Sequence, residues 1–404
     1  MRIDRRELIK AAALAAPMVV AGRAFAAPAA GGHRLLVVFL RGAYDAANIV
    51  APTGSDFYYQ SRPSIALPKP DLANPNAALA LDAAWSLHPA LKDSILPLWQ
   101  KKQIAFVPFV GTDDMSRSHF ETQDTIEMGQ PIGGHRDYGS GFMARLATAL
   151  GRDTPISFTD QLPLCFRGGP TIPNIALGGV GKPGIDPRQA KLIEGMYQGE
   201  HIGGSDLGQS VSEGFRVRDT VFKSIADEMQ EAGRGAVSAK GFELSARRIG
   251  RLMRDQFNLA FVDVGGWDTH VNQGGAQGYL AGRIGELGRA LSGFVDEIGP
   301  AAWQDTTVVV ISEFGRTFHE NGDKGTDHGH GSVYWVLGGQ VQGGRIAGPQ
   351  VALSQATLNQ ARDLPVLTDY RALIGGLVAR QYGLTGERLA GVFPGTAPVD
   401  LGLV

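Results

Sequence analysis

Residues 306–339 read TTVVVISEFGRTFHENGDKGTDHGHGSVYWVLGG, and how this stretch is read decides the fold. It opens on a β-branched apolar run, residues 306–311, of the kind that forms a strand buried on both faces. The run stops at the polar turn Ser312-Glu313-Phe314-Gly315-Arg316. A loop rich in Gly, Asn and Asp follows and carries Asp327, His328 and His330; apolar residues 333–337 then form a second strand. Open α/β sheets bind ligands at the carboxyl ends of their strands. Carboxylates and imidazoles gathered at such an end suit a divalent metal. Asp and Asn also occupy turns for backbone reasons, so the loop alone does not decide the matter. The clustering weighs toward metal: four of the nine histidines, His270, His319, His328 and His330, fall between residues 270 and 330.

The same pattern recurs upstream. Arg34–Leu40 (RLLVVFL) is a continuous apolar run ending in Arg41-Gly42-Ala43-Tyr44-Asp45. Asp45 is thus a carboxylate at a strand end, either a metal ligand or the N-cap of a helical turn at 46–50. Residues 52–86 read as a surface excursion, rich in Pro, Asn and Asp. Residues 88–102 read as an amphipathic helix with Leu91, Ile95, Leu98 and Trp99 on one face and His88 at its start. Residues 104–110 (IAFVPFV) form another strand, and Pro108 places it at a sheet edge or strand end. Arg117, Ser118 and His119 follow, just before a helix at 120–128. Helix N-terminal amides favour an anion there, and Arg117 could clamp it. Ser118 is then a candidate nucleophile activated by a metal or by His119, with Ser116 its rival. The alternative is a capping serine beside a solvent-facing histidine. Residues 258–264 (NLAFVDV) form a third such strand and lead to Gly265-Gly266-Trp267-Asp268-Thr269-His270. Asp268 and His270 are two apart, which in extended backbone puts both on one face and allows chelation. Helices are expected at Phe142–Leu150, 279–298 and Tyr370–Tyr382, with a helical and irregular insertion around 151–258 that includes helices at 217–230 and 243–256.

The chain of 404 residues is long enough for a large core, with 43% apolar and 19% charged residues. Its 55 glycines, about twice the usual share, imply many tight loops. The one cysteine, Cys165, lies in an apolar segment and rules out an intramolecular disulfide framework. Residues 1–26 carry paired Arg5-Arg6, the alanine-rich apolar run 11–21 and Ala24-Phe25-Ala26, the n-region, h-region and cleavage signature of an export leader of the twin-arginine type. That h-region is too short and alanine-rich for a stable membrane span. Removing the leader takes away a net three positive charges and leaves −5 from a total of −2. Nothing in that balance points to nucleic acid or an anionic membrane. The expectation is one domain over 33–404, periplasmic or secreted, with the twin-arginine export machinery as a partner.

In order, the leader, FLRGAYDAAN (39–48), RSHF (117–120), GGWDTH (265–270), ISEFGRT (311–317), GTDHG (325–329) and VLGGQVQGGRIAG (336–348) resemble the exported bacterial family called domain of unknown function 1501. That family is similar to the alkaline phosphatase/sulfatase superfamily. The resemblance implies a three-layer αβα fold with a mainly parallel central sheet and one or two divalent metals at the strands' carboxyl ends. Carried over, it makes Asp45, Asp268, His270, Glu313, Asp327, His328 and His330 metal ligands. It places Ser118 as nucleophile, with Arg117 or Arg316 orienting a small anionic ester. The implied activity is metal-dependent hydrolysis of phosphate or sulfate esters, with zinc, manganese or calcium. One departure stands out: where the superfamily shows Asp-His-Gly, this chain has Glu313-Phe314-Gly315, and Asp327-His328-Gly329 supplies the triplet a loop later. Phe314 keeps a second reading open, a non-catalytic periplasmic binding or assembly protein on the same scaffold.

Overall fold

Each apolar run read above as a strand becomes a strand of one sheet. The computed structural model describes residues 32–133, 136–151, 154–170, 172–177, 187–199, 201–202, 205–206, 208–209, 211–212, 231–233, 235–237 and 241–404. The leader and the helix expected at 217–230 lie outside the described residues. In chain order come β1 (Arg34–Leu40), β2 (Val50–Ala51), α1 (Asp56–Ser61), β3 (Leu79–Ala80), β4 (Ser86–Leu87), α2 (Leu96–Gln100) and β5 (Ile104–Gly111). Then follow α3 (His119–Met128), α4 (Phe142–Leu150), β6 (Pro155–Ser157), α5 (Pro187–Tyr197), β7 (His201–Ile202), β8 (Ser205–Asp206), α6 (Phe242–Asp255) and β9 (Leu259–Val264). The chain closes with α7 (Tyr279–Gln304), β10 (Thr306–Ser312), β11 (Ser332–Gly338), β12 (Arg345–Ile346), β13 (Thr368–Asp369), α8 (Tyr370–Tyr382) and α9 (Gly386–Val392).

The main sheet runs β12-β5-β11-β10-β1-β9-β6, with β13 also on β5. β1 pairs in parallel with β9 and β10, and β6 with β9. Only β11 runs against its neighbours, β10 and β5. Period-two alternation along β1 builds the layers. Leu36, Val38 and Leu40 join one buried cluster with α6 and α7, while Leu35, Val37 and Phe39 join another with α4 and α8. The result is a three-layer αβα arrangement around a mainly parallel sheet. From the 151–258 region, β6 extends this sheet and α6 packs in the α7 layer. No helix among the described residues is long and apolar enough to cross a membrane.

Three local expectations need correction. β5 lies one strand in from β12, not at the edge; Pro108 is tolerated because it sits opposite Val333 where the register slips, so no ladder N–H is required of it. Residues 52–86 are not merely a surface excursion, for they send Tyr58 and Arg62 fully into the interior. The continuous helix at 88–102 is broken into a 3-10 turn at Pro89–Leu91 and α2, each with a proline in its first turn, where a helix accepts one, rather than in an interior that would not. His88 does start the first of these, its Nδ1 accepting from Ala90 N at 3.0 Å.

Candidate metal centre

The parallel strands β1, β9 and β10 deliver their carboxyl ends to one edge of the sheet, and antiparallel β11 begins there. The loops after β1, β9 and β10, the last running on into β11, therefore meet, and the chain after β5 joins them as a fourth. The loop after β10 and the segment before β11 pair through an Arg316–His328 bridge. Thr326 N donates to Thr269 O at 3.1 Å, and Asn272 N to Asp323 O at 2.8 Å, tying the β9 loop to them. Glycine makes the approach possible: Gly42 has φ +110°, and a Cβ there would come within 2.8 Å of Asp268 N.

Three imidazoles converge on one carboxylate oxygen. His270 Nε2 lies 2.9 Å from Asp268 Oδ1, and His119 and His328 Nε2 each lie 3.5 Å from it. His270 Nε2 and His328 Nε2 are 3.1 Å apart. Each Nδ1 is engaged elsewhere: His119 with Glu313 Oε1 at 2.7 Å, His270 with Asp327 Oδ1 at 3.0 Å, and His328 with the Arg117 carbonyl at 2.8 Å. These acceptors require N–H at every Nδ1, so in the neutral rings each Nε2 carries a lone pair. Two lone pairs facing each other at 3.1 Å repel, and a buried His119 Nε2 has no hydrogen-bond partner. A cation relieves both. Donors about 2.0–2.1 Å from a tetrahedral zinc stand about 3.3 Å apart, close to the separations found. The residues therefore fit a divalent ion. His119, Asp268 and His328 by themselves already form a possible ligand set.

The surrounding charges act in both directions, and the Arg316 guanidinium also reaches His270 Nε2, at 3.4 Å. Burial works against a charge on His119, but the hydrogen bond and charge of Glu313 outweigh it and raise its pKa. Burial lowers the pKa of His328. Burial would raise Asp268, yet the hydrogen bond and charge of Arg316 bring it below the ordinary carboxylate value. Phe314 stacks on His119 with ring centroids 5.0 Å apart and leans on His328 at 5.3 Å, forming an apolar wall of the centre.

Several expected ligands stand elsewhere. Asp45 is fully buried and bound bidentately by Arg62, at 2.6 and 2.9 Å, and by Gln273 Nε2 at 2.6 Å, so its oxygens have no room for a metal. Glu313 is also fully buried; its Oε1 accepts from Gly42 N, His119 and Gln123 and its Oε2 faces Ser312 Oγ, which makes it the holder of His119. Asp327 likewise holds His270. His330 is buried outside the group, near Asp114 and Arg117. Ser118 is the N-cap of α3, its Oγ accepting from Glu121 N at 3.5 Å. Arg117 turns its guanidinium to Asp363, at 2.7 and 3.0 Å, and offers the centre only its carbonyl. Arg316 is buried against the carbonyls of Gly42, Ala43 and Thr326 and binds Asp268 rather than facing solvent. His119, expected as a base for Ser118, belongs to the centre instead. The reading of the sequence missed Arg62 and Gln273; neither carries a local signal, since both act on residues hundreds of positions away or in another loop.

An α/β protein with an imidazole–carboxylate centre at its strand ends is the class this geometry defines. The chain matches the model of a family described as protein of unknown function (DUF1501) over residues 32–393, and it belongs to that family. No curated protein matches it. Among solved structures, a protein in the alkaline phosphatase superfamily from Vibrio parahaemolyticus is 13% identical, with a TM-score of 0.34, covering 85% of this chain and 71% of that one. The lipoteichoic acid synthase LtaP from Listeria monocytogenes is 9% identical, with a TM-score of 0.40 and coverage of 97% and 81%. Ps i-CgsB in complex with k-i-k-neocarrahexaose is 10% identical, with a TM-score of 0.41 and coverage of 90% and 75%. These are partial likenesses, and the functional reading rests on the site.

Proposed function

We propose that this protein is an exported metal-dependent hydrolase of phosphate or sulfate esters, working at His119, Asp268, His270 and His328. The observation that carries the reading is the convergence of three Nε2 atoms on Asp268 Oδ1, with every Nδ1 engaged by another acceptor. A divalent ion held there by the three imidazoles and Asp268, zinc or manganese rather than calcium, would supply an activated water and neutralise charge developing on an ester. Glu313, Asp327 and the Arg117 carbonyl hold the three rings in orientation, and Arg316 keeps Asp268 ionised. The side chains of Asp268 and His270 are 46% and 39% exposed, so water and a small anionic ester can reach the centre, unlike a closed structural site. With the Ser118 hydroxyl capping α3, water is the nucleophile in this reading. The ester class rests on the motif resemblance to the alkaline phosphatase/sulfatase superfamily.

Elemental analysis of the protein freed of residues 1–26, beside a His119→Ala/His328→Ala variant, is the test. Stoichiometric metal in the parent and its loss in the variant are expected, followed by turnover in a panel of phosphate and sulfate esters. No metal in the parent, even after incubation with zinc, manganese or calcium, would end the reading. Metal without turnover across the panel favours the second reading, a binding protein on the same scaffold, which the Phe314 wall supports. The leader belongs to the same proposal: Arg5→Lys/Arg6→Lys should hold the protein in the cytoplasm of a bacterial host, and unchanged export would remove the twin-arginine machinery as partner.

A further inference from the structure

Asn321 lies in the loop after β10, and its side chain makes four hydrogen bonds. Its Oδ1 accepts from Asp323 N and Gly325 N, both at 3.0 Å. Two backbone N–H donors on one atom fix that atom as oxygen, so the amide nitrogen must face the other way. There Nδ2 donates to His270 O at 2.9 Å and to Asp327 Oδ1 at 3.1 Å. Asp327 Oδ1 is the same atom that holds His270 Nδ1 at 3.0 Å. One side chain therefore grips His270 twice, by its own carbonyl and through the carboxylate that orients its ring, and it joins the β9 loop to the β10 loop in doing so.

We infer that Asn321 is a positioning residue for His270, setting the direction of its Nε2 through Asp327 as well as closing a turn. The inference rests on the metal-centre reading for its functional consequence, but the orientation of the ring is a property of the metal-free chain. The two roles separate in Asn321→Asp. An aspartate keeps an oxygen for the Asp323 and Gly325 amides, so the turn survives. It loses both Nδ2 donors and brings a second carboxylate against Asp327, where the original contact is 3.1 Å.

The experiment compares the parent, Asn321→Asp and Asn321→Ala by two readouts. The first is the histidine side-chain nitrogen NMR spectrum of the metal-free proteins, assigned with His270→Ala. The second is zinc affinity by chelator competition, alongside thermal unfolding. A His270 Nδ1–H signal in the parent, lost or shifted in Asn321→Asp, is expected. Zinc affinity should fall about tenfold or more in Asn321→Asp, the range for residues that orient a metal ligand, while its Tm falls less than that of Asn321→Ala. Asn321→Ala should lose affinity and Tm together. An Asn321→Asp protein with the parent's His270 signal and zinc affinity, beside an unstable Asn321→Ala, overturns the inference and leaves Asn321 as a turn residue. A parent that binds no zinc removes the metal-centre reading; the His270 signal then decides the positioning role by itself, for it if changed in Asn321→Asp and against it if unchanged.

Discussion

Asp45 and Asp268 both follow a parallel strand of the sheet, yet their environments give them opposite chemistry. The Asp45 side chain is 1% exposed and locked to Arg62, which is itself fully buried, whereas Asp268 opens to solvent. Removing one partner of a buried pair leaves the other charge uncompensated, at a cost of about 3–5 kcal/mol. Asp45→Ala should therefore show that loss in chemical denaturation, while the molecules that still fold keep their metal content. Asp268→Asn should lose metal on elemental analysis with a smaller stability loss than Asp45→Ala, because the buried Arg316 keeps its carbonyl acceptors on Gly42, Ala43, Trp267 and Thr326. A metal-free but stable Asp45→Ala protein would restore Asp45 as a ligand. Ser118→Ala should cost about 1 kcal/mol as a lost N-cap and retain ester turnover; loss of turnover in a folded, metal-loaded protein would return Ser118 to the role of nucleophile. The residue types of the centre were legible in the sequence, since Asp268, His270 and His328 stood out by spacing. The division into proposed ligands and the groups that hold them was not, because Glu313 and Asp327 differ from Asp268 only in what surrounds them.

Strands were the most legible elements. A run such as RLLVVFL is apolar at every position because both faces are covered, and that shows in one dimension. The helix expected over 88–102 was misread because periodicity was weighed above Pro89 and Pro97, which start new turns rather than sit inside one. Helix α7 carries the same lesson: its kink has Gly299 at φ +76° followed by Pro300. Loops were least legible, since what they hold depends on their neighbours. Gly42 illustrates this, for its need to be glycine comes from the backbone of Asp268 against it. Gly42→Ala meets both a positive φ and a steric overlap, and should destabilise the protein by about 1–3 kcal/mol while weakening metal binding. A Gly42→Ala protein with the parent's metal affinity would show that the β1 and β9 ends are positioned independently.

Across the whole molecule, the pH dependence of stability should carry the mark of His88. It is buried, with Nδ1 accepting from Ala90 N and Nε2 3.0 Å from Gly275 O, which requires the neutral ring. Burial lowers its pKa to about 4, against about 6.5 in an unfolded chain. The unfolded state then binds the extra proton first, so stability falls as pH drops from about 6.5 to about 4 and levels off below. The full effect is about 3 kcal/mol at most. His88→Gln should flatten that part of the curve in urea titrations from pH 7 to 4, and an unchanged slope would assign it to other groups. By itself the sequence determined the α/β class, the strands of the main sheet with the loops that follow them, and the family to which the motifs belong. These are written in local order, as apolar runs, turns and short motifs. Only the tertiary structure decided which carboxylates face water, which rings share one oxygen, and that Arg117 serves by its carbonyl. Those outcomes depend on contacts between loops far apart in the chain, where burial and hydrogen-bond partners, not residue type, set the chemistry.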